Sequence, residues 1–285
     1  MNEEWTLKLS SAIKECDAHL RTLRRANRMS PSIAVLVVSC DRYADLWPGF
    51  FAQLDRHWPS RPWPVYLLSN SLEAGRPDLR TIAVGEDRSW SDNLIAALAR
   101  VEEDYVLLFL EDLMLNASVD AARLAEVAAW VAEQRPDCVR LNATERPDEP
   151  ATPLIGRVKE GALYRTSTVL SLWRREVLAA LLKPGESAWQ FEIIGSERSD
   201  AYAGFYITRR DIFPVVNCVI KGKWRRSALR RLERQGLRPD VTARAVMSRP
   251  EELGFMLREL RSRLFKLVPM RYRRRLRGWL IPRTA

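Results

Sequence analysis

The stretch Asp104-Tyr-Val-Leu-Leu-Phe-Leu-Glu-Asp-Leu-Met-Leu115 decides the fold, because a continuous apolar run ends in two adjacent carboxylates. Residues 105–110 do not alternate with polar side chains, which predicts a strand buried on both faces of an α/β sheet. Ligands of such sheets bind at the carboxyl ends of the strands. Glu111 and Asp112 lie at that end and suit a hard divalent cation that carries a phosphorylated substrate. The alternative is that Asp112 caps a following helix or turn and Glu111 is a solvated charge.

Length and composition indicate a globular chain. Its 285 residues suffice for one large α/β domain with a small accessory piece, or for two modest domains. Hydrophobic residues make up 47% of the chain and include ten tryptophans, which is enough to fill a sizeable core. No apolar stretch reaches the roughly 18 residues of a membrane span, and residues 1–30 lack the apolar core of a secretory signal. We therefore expect a cytoplasmic protein.

The cysteines are widely spaced, and no two of them form a C-x-x-C pair. This spacing predicts neither a zinc site nor a disulfide framework. We expect reduced and mostly buried thiols at Cys16, Cys40, Cys138 and Cys218.

The order of predicted elements favours an α/β fold, with a mostly parallel central sheet and helices on both faces. An N-terminal helix (residues 1–30) precedes a domain at 31–226, and a basic helical tail occupies 227–285. Strands are predicted at 32–38, 64–69, 80–84, 105–110, 138–141, 164–170 and 211–220; helices are predicted at 43–57, 89–101, 119–134 and 172–182, with another helical segment from residue 187. The proline-rich stretch 142–161 is expected to be a mobile loop over the carboxyl edge of the sheet.

Three parts of the chain carry a family resemblance. They are Val84-Gly-Glu-Asp-Arg-Ser-Trp-Ser-Asp-Asn-Leu94, residues 105–115, and the late segments Leu172-Trp-Arg-Arg-Glu176, Ser187-Ala-Trp-Gln-Phe-Glu192 and Lys221-Gly-Lys-Trp224. Over about residues 32–226 the chain resembles a bacterial glycosyltransferase-like family of surface-polysaccharide biosynthesis, which has the nucleotide-sugar-binding glycosyltransferase A fold. The resemblance implies transfer of a sugar from a nucleotide-sugar donor.

The resemblance also implies roles for individual carboxylates. Asp112 is expected to contact a divalent cation (Mn²⁺ or Mg²⁺) or the donor sugar, with Glu111 as a second acid near the ribose. The sequence departs here from the commoner Asp-x-Asp pattern, which leaves dependence on a metal open. Glu192 matches the family's Trp-x-x-Glu and is the expected catalytic base, because desolvation beside aromatic rings raises a carboxyl pKa. The alternative for Glu192 is an acid favoured by a helix N-terminus.

The nucleotide is expected at the loop after the first strand and at the start of the helix near residue 89. The expected contacts are Ser39, Cys40, Asp41, Arg42, Asp87, Trp90, Ser91 and Glu111, with Lys223 as a cation for the diphosphate. Each has a structural alternative: an ordinary turn and helix cap at 39–42, a Ser89 or Ser91 cap beside a packed Trp90, and the beginning of a basic tail at Lys223.

Charge is distributed unevenly. Residues 221–285 contain 20 Lys and Arg against 5 Asp and Glu, whereas residues 1–220 contain 26 against 31. Apolar side chains spaced among arginines in the tail predict an amphipathic helix suited to an anionic membrane surface. Peripheral attachment there would hold the enzyme beside a glycan or lipid-linked acceptor. Nucleic acid is a less favoured partner, and helical faces that simply pack on the domain are a third possibility.

Two other functions remain open. A nucleotidyltransferase would use a similar sheet, but Ser39-Cys-Asp-Arg42 lacks the glycine-rich phosphate loop expected after its first strand. A non-catalytic protein could keep the fold and bind a membrane or nucleic acid through its basic tail.

Overall fold

A computed structural model describes residues 30–265 of the chain, with side chains described to residue 261. The predicted N-terminal helix, Cys16 and the arginine-rich segment 266–285 lie outside the described residues.

The first half of the chain alternates strands and helices, as predicted. The strands are β1 (Ile33–Val38), β2 (Val65–Ser69), β3 (Leu79–Ala83), β4 (Tyr105–Leu110), β5 (Leu113–Leu115) and β6 (Cys138–Arg140). The helices are α1 (Trp47–His57), α2 (Trp90–Leu98) and α3 (Ala121–Gln134), and a short 3-10 helix at Asp41–Leu46 precedes α1. Ser89 caps α2, since its hydroxyl accepts a hydrogen bond from the Asp92 N–H.

The second half is less regular. Its strands are β7 (Glu149–Pro150), β8 (Ile155–Arg157), β9 (Ser171–Arg174), β10 (Phe205–Thr208), β11 (Val215–Asn217), β12 (Val219–Ile220) and β13 (Lys223–Trp224). Helix α4 (Arg175–Leu181) follows β9, a continuous helical segment runs over residues 188–201, and α5 (Arg226–Arg234) and α6 (Arg249–Phe265) end the described chain.

Within residues 30–265 the main sheet has nine strands in the order β3-β2-β1-β4-β9-β6-β10-β8-β7. Seven strands run in one direction, and β8 and β9 run in the other. The mostly parallel sheet is thus confirmed. From β1 the chain continues to β2 and β3 on one side of the sheet and then crosses to β4, on the other side of β1. Ligands of open α/β sheets bind at such a change of direction, so we expect a ligand site at the carboxyl ends of β1 and β4.

Helices cover both faces of the sheet, as predicted. On one face, Val35, Val37 and Phe109 pack against the buried side chains of α1 and α3. On the other face, Leu36 and Leu108 pack against α2 and α4. The strands β1 and β4 are therefore buried on both sides, which explains their unbroken apolar sequences.

The predictions for residues 164–182 are partly wrong. Residues 164–170 form an irregular loop, and the strand is β9, at the start of the predicted helix. Tyr164 and Leu170 have positive φ angles of 53° and 47°, which interrupt an extended strand. β9 runs antiparallel to both of its neighbours, so a strand-then-helix alternation does not identify it.

The other irregular segments also differ from prediction. The expected loop at 142–161 contains β7 and β8, which form the edge of the main sheet. The expected strand at 211–220 is divided into β11 and β12, and β10 precedes it.

Residues 224–245 pack on the rest of the described chain. Ala228, Leu229 and Leu232 of α5 join the same hydrophobic core as α1. Trp224 is fully buried, and its backbone N–H donates to the Ala245 carbonyl at 2.9 Å. Across residues 30–265, every helix is too short or too polar to cross a bilayer.

Candidate active site

The parallel strands bring the predicted residues to one edge of the sheet. Residues 39–42 follow β1 and residues 111–112 follow β4, while Asp87 lies between the end of β3 and α2. The loop that contains Thr168 precedes β9 and reaches the same edge, since Ser171 pairs with Leu108 and Arg140 near the ends of β4 and β6. The carboxyl edge therefore holds residues that are about 130 positions apart in the sequence.

Glu111 and Asp112 form the centre of this site. Glu111 is only 7% exposed, and burial together with the Asp112 charge raises its pKa to about 8. Burial raises the pKa of Asp112 to about 6. The Oδ1 atom of Asp112 is buried without a hydrogen-bond partner. Two largely buried carboxyls at a strand end, one of which has an oxygen without a hydrogen-bond partner, are suited to bind a cation or the hydroxyl groups of a ligand.

Further buried polar atoms at the same edge also lack protein partners. They are Nδ2 of Asn70, which follows β2, and Nε1 of Trp90, at the start of α2. Buried donors are normally hydrogen-bonded, so such atoms at a strand edge indicate where a polar ligand fits. The Trp90 ring lies 5.6 Å from the Phe191 ring, which places it next to the segment of Glu192.

The loop after β1 is held by side chains rather than left open. The Asp41 carboxylate accepts hydrogen bonds from the backbone N–H groups of Asn70, Ser71 and Leu72 at 3.0–3.2 Å. Ser39 Oγ accepts from Trp47 Nε1 at 2.8 Å. These contacts fix the ends of β1 and β2 relative to each other, so Ser39 and Asp41 shape the crevice.

Arg42, Cys40 and Asp87 line the opening of the same loop. An Arg42 guanidinium nitrogen lies 3.3 Å from a carboxylate oxygen of the exposed Asp87, whose other oxygen accepts from Asn93 at 2.8 Å. Burial and the negative charges of Asp87 and Glu111 raise the pKa of Cys40, so its thiol stays protonated. The Arg42 head group is mostly in water and is available to an anionic ligand.

Ser91 and Lys223 have protein partners in the structure. Ser91 is fully buried, and its hydroxyl bonds the Lys183 carbonyl at 2.5 Å and the Glu186 backbone. Ser91 therefore joins the start of α2 to the loop at 183–186. The Lys223 ammonium contacts Glu251 of α6 at 2.6 Å. Both remain predicted nucleotide contacts, with these structural roles beside them.

Glu192 lies in a π-helical turn, Phe191–Gly195, of the helical segment 188–201. Such turns recur at functional sites. Its Oε1 accepts from the backbone N–H and the hydroxyl of Thr168 at 2.8 and 2.9 Å. Burial raises the pKa of Glu192, while the bonds from Thr168 and the charge of Arg140 oppose that rise. A carboxylate held this way can accept a proton from a hydroxyl group.

Arg244 is a site residue that the sequence did not indicate. Its guanidinium binds both carboxylate oxygens of Asp45 at 2.7 and 2.8 Å and donates to the Arg42 carbonyl at 2.5 Å. It also stacks on the Tyr43 ring, 4.1 Å from the centroid. Its charge lowers the pKa values of Glu111 and Asp112 against the effect of burial. Arg244 thus brings a cation from the C-terminal part of the chain to the carboxyl pair.

Asn70 and Thr168 were also missed. Asn70 follows a predicted strand in the polar run Ser69-Asn-Ser71, so the strand-end argument used for Glu111 applies to it equally. Thr168 was hidden by the wrong strand prediction for its loop. No pattern in the sequence distinguishes Arg244 from the other arginines around it.

The residues present fit a divalent cation in part. Glu111 and Asp112 supply oxygen ligands, and the partnerless Oδ1 of Asp112 gives one of them a free position. Among residues 30–265, however, no group of three or more His, Cys, Asp or Glu side chains is arranged to hold a metal. A cation here would need further oxygen ligands from a bound substrate, as Mg²⁺ commonly takes from phosphates.

No protein-family model and no curated protein sequence matches the chain. Solved structures with a similar chain path include a fragment of TarS from S. aureus, in complex with UDP-GlcNAc, at 12% identity and a TM-score of 0.43; the match covers 62% of this chain and 58% of the fragment. The mannosyltransferase PcManGT from Pyrobaculum calidifontis, in complex with GDP-Man and Mn²⁺, is 20% identical, with a TM-score of 0.45 and coverage of 75% and 68%. Mannosyl-3-phosphoglycerate synthase from Rubrobacter xylanophilus is 14% identical, with a TM-score of 0.35 and coverage of 54% and 56%. The chain spans less than two thirds of the TarS fragment and of the synthase.

Proposed function

We propose that this protein is a nucleotide-sugar-dependent glycosyltransferase that acts on a glycan or lipid-linked acceptor in surface-polysaccharide biosynthesis. The observation that carries the proposal is the buried Glu111–Asp112 pair at the place where the strand order changes direction. The Oδ1 atom of Asp112 has no hydrogen-bond partner there. A crevice at this place in an α/β sheet suits a nucleotide ligand. The sequence resemblance of the segments around it points to the same chemistry.

The donor is assigned to the crevice between the ends of β1 and β4. The loop 39–42 and the segment 87–91 are the proposed nucleotide contacts. Arg42 supplies an exposed cation, and Asn70 and Trp90 supply partnerless donors. Asp112 is the proposed ligand of a divalent cation or of the donor sugar, with Glu111 beside it. Bound there, a Mn²⁺ or Mg²⁺ ion would neutralise the negative charge of the diphosphate.

In the reaction proposed for these residues, an acceptor hydroxyl oxygen forms a bond to the anomeric carbon of the sugar. The bond from that carbon to the diphosphate oxygen breaks, and the nucleoside diphosphate leaves with the electron pair. Glu192 takes the hydroxyl proton if the configuration inverts. The bonds from Thr168 keep one carboxylate oxygen fixed, which orients the group for proton transfer.

Nucleotide binding tests the donor site directly. Melting temperatures are measured with UDP, GDP, CMP and dTDP, each with and without Mn²⁺. A ligand that binds only the folded state at 100 times its Kd adds about 2.7 kcal/mol of stability, which is a shift of several degrees. We expect one nucleotide to give such a shift with Mn²⁺, and Asp112→Asn to abolish it.

The matched control is Glu102→Gln, because Glu102 is an exposed carboxylate at the opposite end of β4. This variant should retain the full nucleotide shift. If no nucleotide stabilises the wild-type protein, the assigned donor site is wrong. That result would favour a non-catalytic protein that binds through its C-terminal part.

The proposed cellular position follows from the acceptor and from the basic C-terminal part. An enzyme that uses a lipid-linked acceptor works at a membrane surface. We assign it to the cytoplasmic face as a peripheral protein, held by residues 227–285, and we do not expect nucleic acid as its partner.

A further inference from the structure

Helix α6 carries an apolar face that points away from the molecule. Leu253, Met256, Leu257 and Leu260 have exposed fractions of 58%, 52%, 58% and 54%. Their spacing of three and four residues places them on one side of the helix. Four large apolar side chains in one exposed row are unusual on a soluble surface and mark an interaction site.

The opposite side of α6 attaches the helix to the body. Glu252 is buried and accepts from the Ser227 backbone N–H at 3.0 Å and from its hydroxyl at 2.5 Å. Glu251 pairs with Lys223 at 2.6 Å, and Phe255 packs under the Arg225 guanidinium at 4.8 Å. The acidic side chains Glu251 and Glu252 thus have hydrogen-bond partners on the body.

Arginines border the outward face. Arg249 and Arg261 stand four residues before Leu253 and four residues after Leu257, so they flank the same face, and both are exposed. A groove of about 580 Å³ between α5 and α6 adjoins it, and its lining includes Leu253 and Met256, the cations Arg230 and Arg249, and the carboxylates Glu233 and Glu252. Apolar side chains flanked by cations form the pattern of a helix that lies in a membrane interface.

We propose that the face of α6 formed by Leu253, Met256, Leu257 and Leu260 inserts into the surface of an anionic bilayer, with the flanking arginines on lipid phosphates. This inference gives the proposed peripheral attachment a defined surface. It rests on the proposed function only through that attachment. The positive charge of the flanking arginines favours an anionic bilayer over the other possible partners of this face. A second copy would bring the same arginines together, and residues 1–29 are themselves net basic, with six Lys and Arg against four Asp and Glu.

The apolar face also distinguishes a membrane from nucleic acid as the binding partner. Arginines alone bind phosphates of either kind, whereas a row of leucine and methionine gains free energy only from an apolar medium. Bilayer binding should therefore depend on both the apolar and the cationic side chains. Binding to nucleic acid should depend on the arginines alone.

Vesicle flotation with the full-length chain tests the proposal. Wild-type protein is mixed with vesicles of equimolar phosphatidylcholine and phosphatidylglycerol, or of phosphatidylcholine alone. We expect binding to the anionic vesicles and little to the neutral ones, with weakening at high salt. Leu253→Gln with Leu257→Gln should weaken binding about tenfold, because two half-exposed leucines no longer insert.

The control is Leu253→Met with Leu257→Met, which keeps the face apolar and the helix propensity high and should bind like wild type. Helicity by circular dichroism and the nucleotide-induced melting shift should be unchanged in both double variants. A failure of nucleotide binding with intact vesicle binding would overturn the proposed function and leave this inference standing.

Several results would overturn the α6 assignment. One is equal vesicle binding by the glutamine variant and wild type, which would place the attachment elsewhere in the basic part. A second is tight binding to a DNA or RNA oligonucleotide without vesicle binding. A third is a dimer in analytical ultracentrifugation that the glutamine variant abolishes, without vesicle binding by wild type.

Discussion

At the scale of single residues, Arg244 is the clearest addition that the structure makes to the site. Its side chain is 9% exposed and that of its partner Asp45 is 15% exposed, so the pair is largely shielded from water. The planar guanidinium bridges a carboxylate, a backbone carbonyl and an aromatic ring at once. Arg244 therefore positions the 41–45 turn, which lies beside Glu111.

Arg244→Ala should reduce both stability and nucleotide affinity. It leaves the Asp45 carboxylate without its partner, which should cost about 3 kcal/mol of unfolding free energy for a pair this buried. The nucleotide-induced melting shift should also fall, because the turn at 41–45 loses its support. Arg244→Lys should restore only part of either quantity, since an ammonium cannot bind two oxygens and stack in the same way.

Urea unfolding and the nucleotide melting shift measure these effects. Arg238→Ala serves as control, because Arg238 is an exposed arginine in the same loop. Equal unfolding free energies for the Arg244 and Arg238 variants would show that the Arg244 contacts do not stabilise the turn.

Glu192 provides a test by pH. Burial raises its pKa above the ordinary carboxyl value of 4.5. A general base must be unprotonated, so the transfer rate should rise with pH through the raised pKa and be lost on the acid side of it. Thr168→Val removes a hydroxyl that donates to the charged form, so it should move the acid limb to higher pH.

The pH dependence of kcat/KM measures both effects. Glu192→Gln should lower the rate by about 10²–10⁴ and remove the acid limb. Glu197→Gln, at an exposed position of the same helical segment, should leave the profile unchanged. An acid limb that stays in place in Glu192→Gln would assign the base to another residue.

At the scale of secondary-structure elements, α5 decides whether the C-terminal part is separate from the domain. The domain was predicted to end at residue 226, where the family resemblance ends, with a basic helical tail from residue 227. Leu232 is fully buried in the core that α1 and α3 share. In addition, the Gln235 side-chain amide donates to the backbone carbonyl of Asn116, which follows β5, at 2.7 Å. These contacts make α5 part of the body's packing.

Leu232→Ala should therefore destabilise the whole protein. Truncation of a fully buried leucine costs about 2–5 kcal/mol of unfolding free energy. Arg230→Ala, at an exposed position on the same helix, should change it by less than about 0.5 kcal/mol. Urea unfolding followed by tryptophan fluorescence measures both. An unaltered main transition in Leu232→Ala would mean that α5 unfolds independently of the sheet.

Elements in the first half were predicted well because local sequence determines them. β1 and β4 are apolar throughout, and a strand buried on both faces needs no partner-specific pattern. β9 was misplaced because its only special property is antiparallel pairing with two strands distant in sequence. The loop before it contains β-branched residues, Thr166, Thr168 and Val169, which imitate a strand.

At the scale of the whole molecule, the uneven distribution of charge divides the protein into two regions with different proposed roles. The carboxyl pair and the proposed donor site belong to the acidic part of the chain, and the arginine-flanked face of α6 belongs to the basic part. Residues 218–223 join them, since the backbone N–H of Cys218 donates to the Asp112 carbonyl at 2.8 Å and the Lys223 ammonium pairs with Glu251 of α6. A surface bound through α6 would thus be linked to the chain segment beside the carboxyl pair.

The sequence by itself determined the fold class and the sheet edge at which Glu111 and Asp112 lie, and it predicted that edge as the site. An apolar strand followed by acid is a local pattern, and parallel strands bring their carboxyl ends to one edge. Only the tertiary structure decided which groups surround that pair. Arg244 reaches Asp45 across 199 residues, Thr168 reaches Glu192 across 24, and the leucines of α6 lie outward because its glutamates are bound to the body. Such contacts depend on packing between elements distant in sequence, and no local pattern encodes them.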